Sequence, residues 1–239
     1  MQDDGSDRLG KASRLLCALF LAYAGACDAP DGGAAATAGA GDATHSTTSK
    51  AMYVLADADT SGLSRAIFAG GCFWCEETAF EDIAGVRAVI SGYVGGREEH
   101  PSYEDVSSGR TGHTEAVLVT FEPDVVTYEA LLEIFWVNHD PTTNDRQFCD
   151  HGRQYRPGIF YLNDDQKRLA AASVEWAKAH RRFEAPILTE ISIATPFWPA
   201  EEYHQDFYRK NPTRYYSYRE GCRRDARLRE LWGDAATGH

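Results

Sequence analysis

The sequence predicts an α+β fold, a compact single domain in which helices pack on a mixed β-sheet as a two-layer sandwich. Three observations lead to this prediction. Strand-like and helix-like segments alternate along residues 63–235, the strand-like segments are short and apolar, and the chain lacks the length that a doubly wound sheet needs. The 239 residues also hold enough apolar side chains for one good-sized core.

Strands are predicted where short apolar or alternating runs are bounded by glycine, proline or polar residues. These strands cover residues 65–69, 86–93, 115–121, 158–162 and 186–194. Helices are predicted where apolar residues recur every three or four positions, or where a helix-capping signal precedes the segment. These helices cover residues 72–83, 128–138, 163–183, 201–210 and 228–232. Asn163 is the predicted N-cap of the third helix, with Gln166 at the capping-box position, and Pro212 is predicted to stop the fourth.

Charge and cysteine content narrow the class of protein. The formal net charge of -12 at pH 7 argues against a nucleic-acid partner, because phosphates require a basic surface. Six cysteines are too few for a disulfide-dense scaffold. They suffice for thiol redox chemistry or for a metal site, so their positions in the sequence must decide between the two.

Residues 1–26 are predicted to be a signal peptide, because a short apolar run, residues 15–26, follows three basic residues. The run ends in small residues followed by Cys27, which resembles the lipobox of bacterial lipoproteins, where that cysteine is acylated. The alternatives are an ordinary signal peptide cut near Ala26 or a mere apolar stretch. Residues 27–62 are mostly glycine, alanine, serine and threonine near their start, and we expect a flexible linker. The sequence thus predicts an exported, periplasmic protein anchored to the membrane by a lipid on Cys27.

The segment with the most chemical content is GGCFWC, residues 70–75. A predicted strand ends here, two glycines turn the chain, and Cys72 stands at the start of a predicted helix. The unpaired N–H groups and positive dipole end of a helix N-terminus favour thiolate over thiol. The sequence therefore predicts a nucleophilic cysteine with a lowered pKa at position 72. The alternative is a structural cysteine in a strand–helix turn.

The same segment contains the pattern C-x-x-C, which allows two other interpretations. One is a thioredoxin-like redox motif, although tryptophan normally precedes the first cysteine there, whereas here Phe73 and Trp74 lie between the two. The other is half of a zinc site, completed by Cys149 and His151. No second knuckle is present to finish such a site convincingly, so no metal is predicted.

Six stretches of the chain resemble peptide methionine sulfoxide reductase A. They are GGCFWC (70–75), SGYVGG (91–96), PSYEDVSSGRTGHTE (101–115), NHDPTT (138–143), QFCDHGRQYRP (147–157) and PAEEYHQDF (199–207). Any one of them could occur by chance, but together and in this order they are very specific. The resemblance extends from about residue 65 to residue 233, with Ser107 and His151 as minor departures.

The resemblance implies a role for each of five residues. Cys72 would attack the sulfoxide sulfur, and Glu115 would protonate the sulfoxide oxygen, provided that burial raises its pKa. Tyr103 and Tyr155 would hold that oxygen through their hydroxyls, and Asp150 would orient the network. Each residue also has a purely structural interpretation, such as a solvated carboxylate, a core aromatic ring or a turn cap.

Two aromatic residues next to the nucleophile are predicted to form the substrate pocket. Phe73 and Trp74 would enclose the methyl group of the substrate in an apolar wall, which a charged surface could not do. Filling of the core is the alternative for Trp74. His204 is expected to be a hydrogen-bonded structural histidine, since the implied mechanism has no need of it.

The implied cycle leaves Cys72 as a sulfenic acid, which a second thiol converts to a disulfide. Cys222 is the predicted resolving cysteine, because Gly221 precedes it, arginines follow it and family members commonly recycle through a C-terminal cysteine. Cys149 and Cys75 are the alternatives, together with direct reduction by an external thiol.

The predicted function is reduction of methionine S-sulfoxide in proteins and in free methionine. The expected reductant is an external thioredoxin-like dithiol, such as thioredoxin or a periplasmic counterpart, with no bound cofactor. We expect the protein to act as a monomer. Two other functions stay open, a thioredoxin-like disulfide oxidoreductase using Cys72 and Cys75, and a non-catalytic lipoprotein binding module.

Overall fold

The computed structural model describes residues 62–236, so the predicted signal peptide, Cys27 and nearly all of the predicted linker lie outside the described residues. The strands are β1 (Ser64–Ala69), β2 (Val86–Val94), β3 (Thr114–Phe121), β4 (Arg146–Gln147), β5 (Asp150–His151), β6 (Gly158–Tyr161), β7 (Glu190–Ile193) and β8 (Trp198–Pro199). The helices are α1 (Phe73–Phe80), α2 (Tyr103–Ser107), α3 (Tyr128–Val137), α4 (Asp164–His180), α5 (Phe207–Lys210), α6 (Pro212–Gly221) and α7 (Arg224–Trp232).

Six of the strands form one sheet in the order β7-β6-β1-β3-β2-β8, while β4 and β5 form a separate small hairpin. Every pairing in the large sheet is antiparallel except β6–β7, which is parallel. A parallel pair needs a long crossover, and α4 lies in the connection between β6 and β7. The mixed sheet with helices confirms the predicted α+β class.

The sheet is buried on both faces at β3, so alternate residues of this strand enter different clusters. Val117 and Val119 belong to the main core, to which α1, α3, α4 and α7 contribute apolar side chains. Ala116 and Leu118 face a smaller cluster that includes Phe197, from the segment between β7 and β8. Both faces of β3 are therefore covered, one by the main core and the other by the smaller cluster.

The capping signal at Asn163 is confirmed in its main feature. The Asn163 side chain accepts the N–H of Gln166 at 2.9 Å, as an N-cap residue does. The Gln166 amide oxygen accepts the N–H of Leu162 at 3.0 Å, one residue before the position that a capping box uses. The backbone at the beginning of α4 is thus held by two side-chain hydrogen bonds, one to Asn163 and one to Gln166.

The C-terminal part of the domain differs from the sequence prediction. The single helix predicted over residues 201–210 is wrong, because Asp206 has a φ of 50° and separates a 3-10 turn at Glu202–His204 from α5. Pro212 begins α6 rather than only ending its predecessor, as proline commonly does at the first helical position. The strand predicted over 186–194 is limited to β7. The short elements α2, β4, β5 and β8 carried no pattern strong enough to predict.

Within residues 62–236 no helix combines the length and the apolar character that a membrane-spanning segment requires.

Candidate active site

The nucleophile predicted from the sequence occupies the turn between β1 and α1. Cys72 is the N-cap of α1, and its carbonyl oxygen accepts the N–H groups of Cys75 at 3.0 Å and Glu76 at 3.3 Å. Gly71 has a φ of 97°, and a Cβ there would come within 2.5 Å of the Gln147 Cβ. Only glycine fits this turn, so the Gly-Gly pair is what lets Cys72 begin the helix.

The Glu115 side chain points toward this turn because side chains alternate between the two faces of the sheet along β3. Its side chain lies on the helix face of the sheet, as do those of Val117 and Val119, because residues two apart share a face. The Glu115 Oε2 accepts the backbone N–H of Phe73 at 3.1 Å, and the residue is only 2% exposed. Burial raises the pKa of Glu115 to about 8, against the lowering effect of the Phe73 N–H. A buried glutamic acid that holds its proton at neutral pH therefore lies beside Cys72.

The predicted lowering of the Cys72 pKa is wrong for this arrangement. Cys72 is 6% exposed, and burial raises its pKa well above the usual value, with further contributions from Cys75, Glu115 and Asp150. The helix N-terminus does not outweigh the loss of water around the sulfur. The lowered pKa belongs to Cys75, at about 6, because the Cys72 thiol hydrogen bonds to it and Arg224 and Arg219 lie near it.

Tyr103 and Tyr155 reach the site from two separate elements. Tyr103 is the first residue of α2, and its N–H donates to the Glu201 Oε1 at 2.9 Å. Tyr155 ends a 3-10 turn at Arg153–Tyr155. Burial raises the pKa of both phenols, and Glu115 and Cys72 raise it further. Both hydroxyls therefore stay protonated close to Cys72, as hydrogen-bond donors require.

Asp150 also lies in the site, but its partner was not predicted. The Tyr218 hydroxyl donates to the Asp150 Oδ2, and the Tyr218 ring meets the ring of Trp74 edge-on at 5.9 Å. Burial raises the pKa of Asp150, and Cys72 and Cys75 contribute to the raised pKa of Tyr218. Helix α6 thus places a tyrosine over the site. A tyrosine-rich tail was the only sequence signal for it.

The two predicted pocket residues differ in their surroundings. Phe73 is 1% exposed and packs in the main core, with its ring centroid 4.9 Å from that of His204. Trp74 is half-buried, stacks on Phe207 at 3.7 Å, and donates from its Nε1 to the His204 Nδ1 at 3.1 Å. Burial lowers the pKa of His204 to about 4, so it is neutral and holds the Trp74 ring in place.

The four cysteines of the described part form two separate pairs. Cys149 and Cys222 are joined in a disulfide with a Cα–Cα distance of 4.9 Å, whereas Cys72 and Cys75 are free and buried. The turn between β4 and β5 presents Cys149 on the surface beside Asp150. Cys149 is committed to Cys222, so the four-ligand zinc site considered above is not assembled. Within residues 62–236 no cluster of three or more metal-ligating side chains occurs.

Arg224 has a different position from the one predicted. Arg224 is one of the arginines that follow Cys222 and that favoured its predicted role, but its side chain points inward and is 3% exposed. Its Nη2 donates to the Glu76 Oε1 at 2.6 Å and to the Asn138 carbonyl oxygen at 2.5 Å. The guanidinium also lies over the Phe148 ring at 4.4 Å. A buried ion pair thus ties α7 to α1 directly behind the nucleophile.

These groups define a chemical capability. A thiol adjoins a carboxylic acid that is protonated at neutral pH, and two protonated phenols, those of Tyr103 and Tyr155, are near enough for Glu115 and Cys72 to raise their pKa. Such a set suits attack on an electrophilic atom whose oxygen must be protonated as its bond to that atom breaks. The tryptophan ring next to the thiol offers an apolar surface for the rest of the substrate.

The chain is similar to known proteins in both sequence and structure. Residues 64–236 match a family model described as peptide methionine sulfoxide reductase. The chain is 52% identical over 168 residues to peptide methionine sulfoxide reductase MsrA of Bacillus subtilis, which covers 70% of this chain and 95% of that protein. It is 51% identical over 168 residues to the enzyme of the same name from Bacillus licheniformis, covering 70% of this chain and 93% of that protein.

Two solved structures share the fold. One is Mxr1 of Saccharomyces cerevisiae in its reduced form, with a TM-score of 0.60, 34% identity, and coverage of 64% of this chain and 88% of that one. The other is methionine sulfoxide reductase A of Corynebacterium diphtheriae, with a TM-score of 0.58, 30% identity, and coverage of 67% and 81%. By its match to the family model and its identity to these relatives, this chain belongs to the peptide methionine sulfoxide reductase A family.

Proposed function

We propose that this chain reduces the S epimer of methionine sulfoxide, in proteins and as the free amino acid, through attack by Cys72. One observation carries the proposal. The buried Glu115 carboxyl accepts the N–H of Phe73, directly after Cys72, and its pKa of about 8 keeps it protonated at neutral pH. An acid is thus held by a hydrogen bond to the residue that directly follows the nucleophile.

The proposed reaction assigns one task to each side chain. The sulfur of Cys72, as thiolate, bonds to the sulfoxide sulfur while Glu115 gives its proton to the sulfoxide oxygen. Tyr103 and Tyr155 donate hydrogen bonds to the oxygen as negative charge develops on it. Methionine leaves with the electron pair on its sulfur, and the oxygen ends on Cys72 as a sulfenic acid. Asp150 orients the polar groups, and Trp74, supported by Phe73, contacts the methyl group.

Regeneration needs thiols but no bound cofactor. We propose that Cys222 resolves the oxidised site together with Cys149, because the two form a disulfide whose Cys149 end is exposed at the surface. A thioredoxin-like dithiol outside the protein would then reduce this disulfide by thiol–disulfide exchange. In such a cycle the electrons reach a buried site through a surface pair.

A peptide assay that resolves the two epimers tests the proposed function. Wild-type protein is incubated with a racemic methionine sulfoxide peptide and either dithiothreitol or a thioredoxin system, and each epimer is followed by chromatography. We expect the S epimer to disappear with both reductants while the R epimer remains. Equal consumption of both epimers would contradict the stereochemical part. Reduction of insulin disulfides without sulfoxide turnover would instead identify a disulfide oxidoreductase, and neither activity would favour a binding module.

We further propose that the protein is exported to the periplasm and anchored by a lipid on Cys27. The apolar run, the small residues before Cys27 and the polar segment after it support this. Cells expressing wild type or Cys27→Ala are fractionated in parallel. We expect the wild type in the membrane fraction and the Cys27→Ala protein outside it. Equal recovery of both proteins from the cytosol would contradict export and anchoring together.

A further inference from the structure

An open cleft lies beside the surface disulfide and has no part in the proposed attack on the sulfoxide. Its volume is about 230 Å³, and Cys222 lines it together with Phe148, the residue before Cys149. Cys149 is exposed at the surface, and Cys222 is half-buried. A small molecule that occupies the cleft is therefore placed next to the bond that regeneration must open.

The cleft is rich in arginine, although the chain has a formal net charge of -12. Arg146, Arg223 and Arg227 line it, together with the carboxylates of Asp140 and Glu230. Arg227 binds both carboxylates, from its Nε to the Asp140 Oδ2 at 2.8 Å and from its Nη1 to the Glu230 Oε2 at 3.2 Å. In the described part of the chain Arg146 and Arg223 have no carboxylate partner, and both are exposed. Two guanidinium groups are thus left for an anion from outside.

The backbone next to each cysteine of the disulfide is fixed in an uncommon conformation. Phe148 has a φ of 51° and Arg223 a φ of 55°, in the left-handed region that residues other than glycine seldom occupy. The guanidinium of the buried Arg224 lies over the Phe148 ring at 4.4 Å and pairs with Glu76. The Phe148 ring and the beginning of α7 are thus held by buried contacts, which makes the shape of the cleft a fixed one.

A small carboxylate is the anion that suits this cleft. The planar guanidinium group matches a carboxylate through two parallel hydrogen bonds, which a point charge cannot offer. Pockets for drug-sized ligands measure roughly 300–1,000 Å³, so the cleft has room for a smaller molecule only. The group beside it is a disulfide, and the reagent that opens a disulfide is a thiolate. The cleft and its neighbour together call for a thiol that carries a carboxylate.

We propose that this cleft binds the carboxylate of a small thiol and directs the thiol sulfur to the Cys149–Cys222 disulfide. The inference rests on the proposed function, in which opening of this disulfide completes the catalytic cycle. It adds a class of reductant, the carboxylate-bearing small thiol, to the thioredoxin-like dithiol proposed above.

Reduction consumes two molecules of the thiol, and each step balances. The thiolate sulfur of the first molecule bonds to the exposed Cys149 sulfur, the bond between the two cysteines breaks, and Cys222 leaves as a thiolate that takes a proton from water. The positive charge of Arg223 favours this departure. A second thiolate attacks the reductant sulfur of the mixed disulfide, and Cys149 leaves and is protonated. The two reductant molecules end as their own disulfide, having given two electrons.

The test is the rate at which small thiols of different charge open the disulfide. The oxidised full-length chain is treated at low salt with mercaptopropionate, mercaptoethanol or cysteamine, whose second group is anionic, neutral or cationic. Samples are quenched with acid and alkylated in urea, and the intact mass gains two alkyl groups when the disulfide opens. Each rate is compared between the wild type and Arg146→Gln/Arg223→Gln, so that the intrinsic reactivity of each thiol cancels.

We expect the loss of both arginines to slow mercaptopropionate by about 3- to 10-fold relative to mercaptoethanol, as two exposed charge pairs would. Cysteamine should not be slowed relative to mercaptoethanol. About 1 M salt, where the Debye length is about 3 Å, should remove the difference between the thiols. Succinate at constant ionic strength should compete with mercaptopropionate and leave mercaptoethanol unaffected.

The matched control is Arg87→Gln/Arg168→Gln, which removes the same two charges from outside the cleft. These side chains are 61% and 68% exposed, and they pair with Glu122 and Asp165. We expect this control to keep the wild-type ratio of the mercaptopropionate rate to the mercaptoethanol rate. Arg146→Lys/Arg223→Lys should recover part of the ratio, because it keeps the charge without the planar group.

Three results would overturn the inference. The first is the same ratio of the two rates in the wild type and in Arg146→Gln/Arg223→Gln, and the second is an equal loss in the control pair. The third is slower reduction by a thioredoxin system with all small thiols unaffected, which would identify the cleft as a docking site for a protein. None of these rates involves a sulfoxide, so the peptide assay with the two epimers decides the proposed function separately.

Discussion

Replacing Cys72 with serine is expected to reduce methionine release to the level of a reaction without enzyme. A serine hydroxyl is a far weaker nucleophile than a thiolate, and Glu115 and the two tyrosines only assist the attack on the sulfoxide. The measurement is methionine formed in a single turnover from a sulfoxide peptide, with no added reductant. Such a turnover separates the chemical step from regeneration, which the other cysteines serve.

The matched control for Cys72→Ser is Cys149→Ser, which also removes one thiol, but a thiol that takes part only in the proposed regeneration, after methionine has left. We expect the control to release methionine as the wild type does. Because position 72 is buried at a helix N-cap, the thermal unfolding of both variants should be recorded to show that they fold. Methionine release by folded Cys72→Ser protein would mean that another residue attacks the sulfoxide.

Glu115→Gln is expected to slow sulfoxide reduction by roughly 100- to 10,000-fold, the usual range for loss of a general acid. The glutamine amide can still accept the N–H of Phe73, so the turn should keep its shape, but it has no carboxylic proton to give. In the wild type the acid form declines as pH rises through about 8, so the rate should fall above that pH. The variant should lack that alkaline decline.

Glu77→Gln is the matched control for Glu115→Gln. Glu77 is 1% exposed, and burial raises its pKa to about 8, as for Glu115. Its Oε1 accepts the N–H of Asp206 at 3.0 Å rather than a group in the site. Single-turnover rates measured from pH 6 to about 10 should show the alkaline decline in this control. An equal loss of rate in both variants would mean that the loss comes from removing a buried carboxyl group, and not from removing a general acid.

Local patterns in the sequence were sufficient to predict the elements that interactions between neighbouring residues determine. The alternation in β3 predicted a strand with Glu115 near its start, and the Gly-Gly pair before Cys72 predicted the turn into α1. The α+β class followed from such elements. The break at Asp206 did not, because a single left-handed residue interrupts an otherwise helical pattern without a glycine to mark it.

Contacts between distant segments could not be predicted in this way. Tyr218 meets Asp150 across 68 residues, and Arg224 meets Glu76 across 148 residues. In the sequence, Arg224 is one of several basic residues in the C-terminal tail, and such a pattern of charges predicts an exposed side chain. Only the packing of α7 against the rest of the domain buries it. The same limit explains the error on the Cys72 pKa, since the helix position is local but the burial of the sulfur depends on the whole fold.

The disulfide between Cys149 and Cys222 has a consequence for folding thermodynamics. It closes a loop of 73 residues, and a cross-link over such a loop lowers the entropy of the unfolded chain by an amount worth about 4 kcal/mol. In the proposed cycle, the form in which Cys149 and Cys222 are thiols would therefore unfold more easily than the form that has just completed turnover. Slow reductant supply would leave most molecules cross-linked and resistant to proteolysis. Under the proposed function, the cross-link would thus protect the chain from degradation when reductant is scarce.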